Sequence, residues 1–203
     1  MRRDPRKSDA SHFDAAYYRR FYEQPGTRVS DQKSVLRLAG FVVSYLRYLQ
    51  LPIKHVLDLG CGMGHWRSAL RQLAPKARHH GVEHSDYLCE RFGWQKGSAV
   101  DHAPGRTFDL VVCQGVLQYL DDRSASSAIE NLAALSHGAL YLEALTAKDW
   151  KTNVDRSVTD GDVHLRAGSW YLRRLRRHFV PLGGGVFVKR DCGIALFELE
   201  SLG

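Results

Sequence analysis

The spacing of apolar positions changes along the chain, and each change marks an element. Between 13 and 22, Phe13, Tyr17, Tyr18, Phe21 and Tyr22 recur near helical spacing, and Pro25 with Gly26 ends the run. Val35, Leu38, Val42, Tyr45, Leu46 and Leu49 mark one face of a second helix, which Pro52 stops. Short apolar runs then alternate with amphipathic ones. Strands are predicted at 55–59, 78–83, 94–98, 108–113 and 140–144. Helices are predicted at 64–73 and from Ser85 onward. Another is capped by Asp122 or Ser124 and runs through Leu135, with Gly138 just past its end. A further helix spans 169–178, and a final strand pair is expected at 186–190 and 194–199. Such alternation argues for a parallel sheet with helices packed on it.

Two stretches fall outside this pattern. Residues 1–11 are polar and charged and are expected to form a disordered basic tail. Residues 146–168 make a long polar connection between a strand and a helix, and unstructured connections of that length are usually functional. Following the fifth strand, this segment should reach over the carboxyl edge of the sheet, where ligands bind. Residues 12–203 are read as one domain, with 12–50 supplying N-terminal helices and a lid, and 146–168 a substrate loop.

The most informative run is VLDLGCGMGHW at 56–66. A buried strand ends in Asp58, three glycines follow at Gly60, Gly62 and Gly64, and a helix starts at once. Glycine lets a ligand lie against bare backbone, and the helix start offers free N–H groups to an anion. A phosphate-cradling P-loop would need Lys then Ser or Thr after the last glycine; His65 and Trp66 stand there. A dinucleotide GxGxxG fingerprint starting at Gly60 would place its third glycine on His65. The pattern acid-x-Gly-x-Gly-x-Gly is filled at every position.

On these residues the chain resembles the class I S-adenosylmethionine-dependent methyltransferases, from about Ser34 to the C-terminus. Glu83 follows Gly64 by nineteen residues, about the offset of a ribose-binding acid, and FDLVV at 108–112 leads into Cys113, Gln114 and GVLQYL as the family's fourth strand does. The resemblance implies an α/β, Rossmann-like, doubly wound fold. Its sheet would be seven-stranded and mostly parallel, with an antiparallel C-terminal strand and helices on both faces. It implies S-adenosyl-L-methionine as cofactor. The loop Gly60, Cys61, Gly62 and Gly64 would hold the methionine part, with Asp58 supporting the loop or the amino group. Glu83 would take the ribose, and Ser98 or Ala99 would lie by the adenine. Many relatives carry an acid at that last position; here Asp101 is the nearest one. Gln114 would touch the amino group or the acceptor.

Acceptor residues are read from position. Tyr17, Tyr18 and Tyr22 are candidates for a lid over the methyl group, against the alternative of an aromatic cover for the sheet edge. His164 is the candidate base, and Glu143 is expected to face the crevice. Trp170 and Tyr171 open the last helix as candidate pocket residues, against the alternative of core packing. Asp160 and Asp162 lack the rest of a metal-ligand set, so no metal is expected.

Composition narrows the class. At 203 residues and net charge +7, the chain is a basic single domain, with basic clusters at its N-terminus and at 172–178. Cysteines 61, 89, 113 and 192 form neither a CxxC pair nor a zinc spacing; Cys61 and Cys113 read as buried strand-end residues in a reducing, cytoplasmic setting. His79 and His80 are expected to face solvent at the start of the second strand. No eighteen-residue apolar run is present, so no membrane partner is expected. The leading function is therefore methyl transfer to a small-molecule acceptor by direct displacement, the acceptor atom and the oligomeric state being open. Transfer to RNA or protein, docked on the 172–178 helix, is a less favoured alternative: the fourth strand ends in CysGlnGlyVal and lacks the NPPY-type tetrad that holds planar amino groups. A cofactor-binding protein without turnover is the third reading.

Overall fold

The computed structural model describes residues 12–24, 26–27 and 31–201; the expected basic tail at 1–11 lies outside them. The aromatic stripe forms α1 (Ala15–Tyr18), continued by a wider turn over Arg19–Glu23. α2 (Gln32–Tyr48) starts at a capping box in which the Asp31 carboxylate accepts the Ser34 N–H. Strands and helices then alternate: β1 (His55–Leu59), α3 (His65–Leu73), β2 (Arg78–Glu83), α4 (Asp86–Phe92), β3 (Gln95–Lys96) and β4 (Phe108–Gln114). α5 (Asp122–Leu135), β5 (Ser136–Glu143), α6 (Ala147–Thr152), α7 (Gly168–Leu175), β6 (Phe179–Gly183) and β7 (Val186–Lys189) complete the domain.

The seven strands lie in the order β3-β2-β1-β4-β5-β7-β6. β1 runs parallel to β2 and β4, β2 to β3, and β4 to β5, whereas β7 is antiparallel to both β5 and β6. The expected mostly parallel sheet with one antiparallel C-terminal strand is therefore present. The chain leaves β1 toward one edge and returns at β4 on its other side. This puts the topological switch point at the carboxyl ends of β1 and β4, where open α/β sheets bind ligands.

Alternation along each strand divides the core. Val56, Leu110, Val112, Ala139, Val186 and Val188 pack toward α2 and α3. Their neighbours Leu57, Leu59, Val111, Cys113, Leu140 and Phe187 pack toward α5 and α7. Sheets buried on both faces need near-continuous apolar strands, which is why FDLVV and VLDL carry so few polar residues. Each fully buried leucine, such as Leu57 or Leu132, contributes about 1.5–3 kcal/mol by leaving water. Cys61 and Cys113 are buried, as their positions predict.

Three expectations need correction. The final hairpin is β6–β7, turning through Gly183, Gly184 and Gly185 at positive φ, and 194–199 forms no strand. Pro181 and the glycines disguise β6 in the sequence, yet β6 is the edge strand, where a missing N–H costs no ladder bond. The 146–168 segment is not structureless. It carries α6, and a parallel bridge between Thr146 and Arg166 closes its base. Gly138 is no helix stop, because α5 passes directly into β5 and the glycine lies inside the strand.

At that point the β4–β5 register shifts between Phe108 and Leu110, and a β-carbon on Gly138 would stand 2.5 Å from the Asp109 carbonyl oxygen. Gly138→Ala should therefore cost about 1–3 kcal/mol of stability through forced displacement of strand backbone. Urea denaturation checks this, and an unchanged midpoint would show that the bulge yields freely.

Candidate active site

The loop after β1 is held by its neighbours before any ligand arrives. The N–H groups of Gly60 and Cys61 both donate to the Val82 carbonyl, at 2.8 and 3.1 Å. Glu83 ends β2, only 5% exposed, and its Oε2 accepts the Gly62 N–H at 2.8 Å. Its Oε1 accepts the N–H groups of His84 and Ser85 at 2.8 and 2.9 Å. Trp94 wedges beneath the loop and donates its indole N–H to the Gly62 carbonyl at 2.9 Å. Gly60, Gly62 and Gly64 all adopt positive φ, which only glycine takes without strain. At Gly62 no protein atom comes closer than 3.9 Å to where a β-carbon would be, so the open side of the loop is free for a ligand.

Beside this loop lies a cavity of about 450 Å³. Its floor holds Asp58, 2% exposed, whose carboxylate pairs with His79 Nε2 at 3.1 Å. Gln114 ends β4 on the same wall; its Oε1 accepts the Trp66 indole N–H at 2.8 Å and its amide donates to Glu143 at 3.3 Å. The Tyr141 hydroxyl also donates to Glu143, at 2.9 Å. Tyr17 and Tyr22 of the N-terminal segment meet Tyr119, from the turn after β4, over this floor. The hydroxyls of Tyr17 and Tyr119 lie 2.7 Å apart. Burial raises the pKa of all three phenols, that of Tyr22 to about 12, so they stay neutral and serve as donors and rings rather than bases.

A family profile described as a methyltransferase domain matches residues 16–183. The chain belongs to the methyltransferase family. The class I architecture and its cofactor, S-adenosylmethionine, follow for this enzyme. No curated protein sequence matches it. Among solved structures, it is similar to magnesium protoporphyrin IX methyltransferase from Synechocystis PCC 6803 with bound S-adenosylhomocysteine. The identity is 17%, the match covers 89% of this chain and 97% of that one, and the TM-score is 0.64. A S-adenosylmethionine-dependent methyltransferase from Clostridium acetobutylicum ATCC 824 is 14% identical, with 88% and 98% covered and a TM-score of 0.60. The plantazolicin methyltransferase BpumL in complex with S-adenosylhomocysteine is 14% identical, with 72% and 63% covered and a TM-score of 0.55. At these identities the likeness is one of fold.

The methyltransferase brings some of the sequence candidates together and separates others. Asp58, Gly60, Cys61, Gly62, Gln114, Glu143, Tyr17 and Tyr22 share the cavity. Gly64 caps α3 behind it, and a β-carbon there would strike Trp94 at 2.8 Å. Tyr18 lies outside the cavity wall, buried with Cys61, Leu88 and Trp94 and close enough to Glu83 for the carboxylate to raise its phenol pKa further. Ser98 and Ala99 follow Gly97, whose N–H donates to the Glu83 carbonyl at 3.0 Å, and they do not line the cavity.

Four residues are not where the sequence pattern puts them. His79 is not solvent-facing: its side chain is 8% exposed and grips Asp58. Trp170 and Tyr171 pack around Arg166 and Arg174 on the α5–α7 side and do not line the cavity. His164 is not in the cavity wall either; its N–H is tied to the Gln118 carbonyl at 2.7 Å. The segment is anchored instead by Arg166, which donates to Asp122, to the Leu117 and Leu120 carbonyls and to the Tyr171 hydroxyl. That anchorage turns Asp149, Thr159 and Asp160 inward. With Gln118 and Tyr119, these are among the wall residues the sequence reading did not assign. For Asp149, Thr159 and Asp160 the one signal was the placement of 146–168 over the sheet edge.

Replacing Glu83 with Gln turns one of its two accepting oxygens into an NH2 group, so either the Gly62 N–H or the N–H groups of His84 and Ser85 lose their acceptor. A buried donor stranded this way costs about 1–3 kcal/mol. Hydrogen exchange on the Glu83→Gln protein should show faster exchange at the Gly62 amide or at those of His84 and Ser85; wild-type protection at all three would mean Glu83 does not hold the loop.

Proposed function

We propose that this methyltransferase acts on a small-molecule acceptor bound in the cavity between the glycine loop, the tyrosine lid and the 146–168 segment. The observation that carries this reading is the cavity itself. It is about 450 Å³, within the range of small-ligand sites, and roofed by the N-terminal segment. The arginines at 173, 174, 176 and 177 do not line it. Two of them are engaged elsewhere, Arg174 against Trp170 and Arg177 with Glu130. An RNA or protein docked on α7 therefore has less to support it.

The roles follow from position. Gly60, Cys61, Gly62 and Gly64 shape the backbone against which the methionine part of the cofactor would lie. Asp58, fixed by His79, supplies a carboxylate for its amino group. Glu83 keeps a lone pair on Oε2 for a ribose hydroxyl, since that oxygen receives a single N–H. Ser98 and Ala99 lie toward the adenine side. The bound cofactor supplies a methyl group already attached to a good leaving group. The residues of the chain then have to align the acceptor with it and keep water out. Gln114 and Glu143, oriented by Trp66 and Tyr141, stand on the acceptor side.

Calorimetry with S-adenosylhomocysteine tests the cofactor half. Asp58→Ala and Gly62→Val should each weaken binding at least tenfold, about 1.4 kcal/mol. Unchanged affinity in folded variants would remove both residues from the site. The acceptor half is tested with a methyl-labelled cofactor offered to metabolite and RNA fractions. Label is expected in the metabolite fraction. Label confined to RNA would overturn the small-molecule reading, and tight binding without label anywhere would point to a protein without turnover.

A further inference from the structure

The cavity is charged against the trend of the chain. The protein carries a formal +7, yet among the described residues the cavity walls hold four carboxylates, Asp58, Glu143, Asp149 and Asp160, and neither lysine nor arginine. Their partners differ. Asp58 is paired with His79. Asp149 is absorbed by Thr146 and Asn153 at the start of α6, whose hydrogen bonds lower its pKa. Among the described residues, the Glu143 carboxylate receives the neutral Tyr141 hydroxyl and Gln114 amide. The Asp160 side chain is 12% exposed; its Oδ1 accepts the Asp162 N–H at 2.9 Å and its carboxylate helps raise the neighbouring Tyr119 phenol pKa, while among the described residues its Oδ2 makes no direct hydrogen bond and His12 Nε2 stands 3.8 Å away.

A second set of atoms points the same way. Three buried side-chain atoms without a hydrogen-bond partner among the described residues line this one cavity: His65 Nε2, Gln118 Oε1 and Asp160 Oδ2. Buried polar atoms are ordinarily satisfied, so each orphan asks for a partner. His65 belongs to the glycine-loop wall, at the start of α3. The other two belong to the wall built by the turn after β4 and the 146–168 segment, and both are oxygens that accept and do not donate. Gln118 is 8% exposed. The rings of Tyr17, Tyr22 and Tyr119 are the remaining surface there, and neutral phenol faces attract a cation.

We propose that the acceptor is a small aliphatic amine that enters as an ammonium ion, held by Asp160 Oδ2 and Gln118 Oε1 among the rings of Tyr17, Tyr22 and Tyr119. This rests on the reading that the cavity is the methyl-transfer site. An ammonium nitrogen has no free pair, so one proton passes to the Asp160 carboxylate before reaction. The freed pair then forms the N–CH₃ bond while the CH₃–S bond breaks and its electrons stay on sulfur. The products are the methylated ammonium and S-adenosylhomocysteine, and Asp160 returns its proton to solvent. Glu143 adds a second negative charge on the approach side.

The test is calorimetry on the full chain, with and without saturating S-adenosylhomocysteine, using probes matched in shape. Cyclohexylamine is compared with cyclohexanol and cyclohexanecarboxylate, and a lysine-containing tripeptide forms a further arm. The amine is expected to bind at least tenfold more tightly than the alcohol, and the carboxylate not measurably. Asp160→Asn, which keeps the shape and removes the charge, should erase most of that preference while S-adenosylhomocysteine affinity stays within about twofold. Equal binding of amine and alcohol, or tighter binding of the carboxylate, overturns the proposal. So does a preference that survives Asp160→Asn. Should that variant not fold, the amine-to-alcohol ratio of the wild-type protein decides alone. Stronger binding of the tripeptide than of the free amine would replace a small amine by a protein lysine. Failure of S-adenosylhomocysteine to bind strikes the cofactor reading instead, and the amine ratio is still measured without it.

Discussion

The site depends on the carboxylate of Glu83, which takes the backbone N–H groups of Gly62, His84 and Ser85 at once. A buried carboxylate is tolerable only when its charge is met by good donors. Here the donors come from two different turns, so meeting the charge also fixes the glycine loop against the end of β2. The Val82 carbonyl adds two more bonds to the same loop from the opposite polarity. Positive φ at three successive alternate glycines is otherwise an entropic liability, since glycine loses the most freedom on ordering. The cross-strand clamp is what holds this flexible sequence in a single shape before ligand arrives.

The clamp also explains the layering above it. Ser85 reaches the Phe13 carbonyl at 2.6 Å, so the turn that anchors Glu83 anchors the N-terminal segment too. That bond, with the packing of Tyr18 against Leu88 and Trp94, brings Tyr17 and Tyr22 over the cavity. The roof is thus attached to that turn, to α4 through Glu23 and Arg91, to Tyr119 through Tyr17 and to a cluster of rings, and not by strand pairing with the sheet.

Much of this was legible in the sequence, and the reasons for what was not are physical. Strands buried on both faces leave continuous apolar runs, so VLDL and FDLVV announced themselves. The glycine spacing and Glu83 were readable because backbone geometry fixes those offsets. β6 was missed because Pro181 and three glycines look like a loop, and only its edge position makes them acceptable. Gly138 was read as a helix stop because local sequence cannot see the Asp109 carbonyl across the strand. His164 and Asp160 share a segment in which no periodicity says which side chain turns inward. Arg166 decides that, through bonds to carbonyls more than forty residues away in sequence.

The acidity of the cavity has a consequence for the chain's overall charge. A cationic acceptor approaching a protein of +7 is repelled at long range, and at physiological salt that repulsion fades over about 8 Å. Inside the mouth, the wall carboxylates Glu143 and Asp160 are the near charges, and the largely buried Asp160 is the less screened of the two. The same acids would disfavour an anionic metabolite or a phosphate backbone, although the surface charge alone would invite both. On the proposed reading, the outer surface and the cavity therefore favour opposite partners, and it is the cavity that would choose the acceptor.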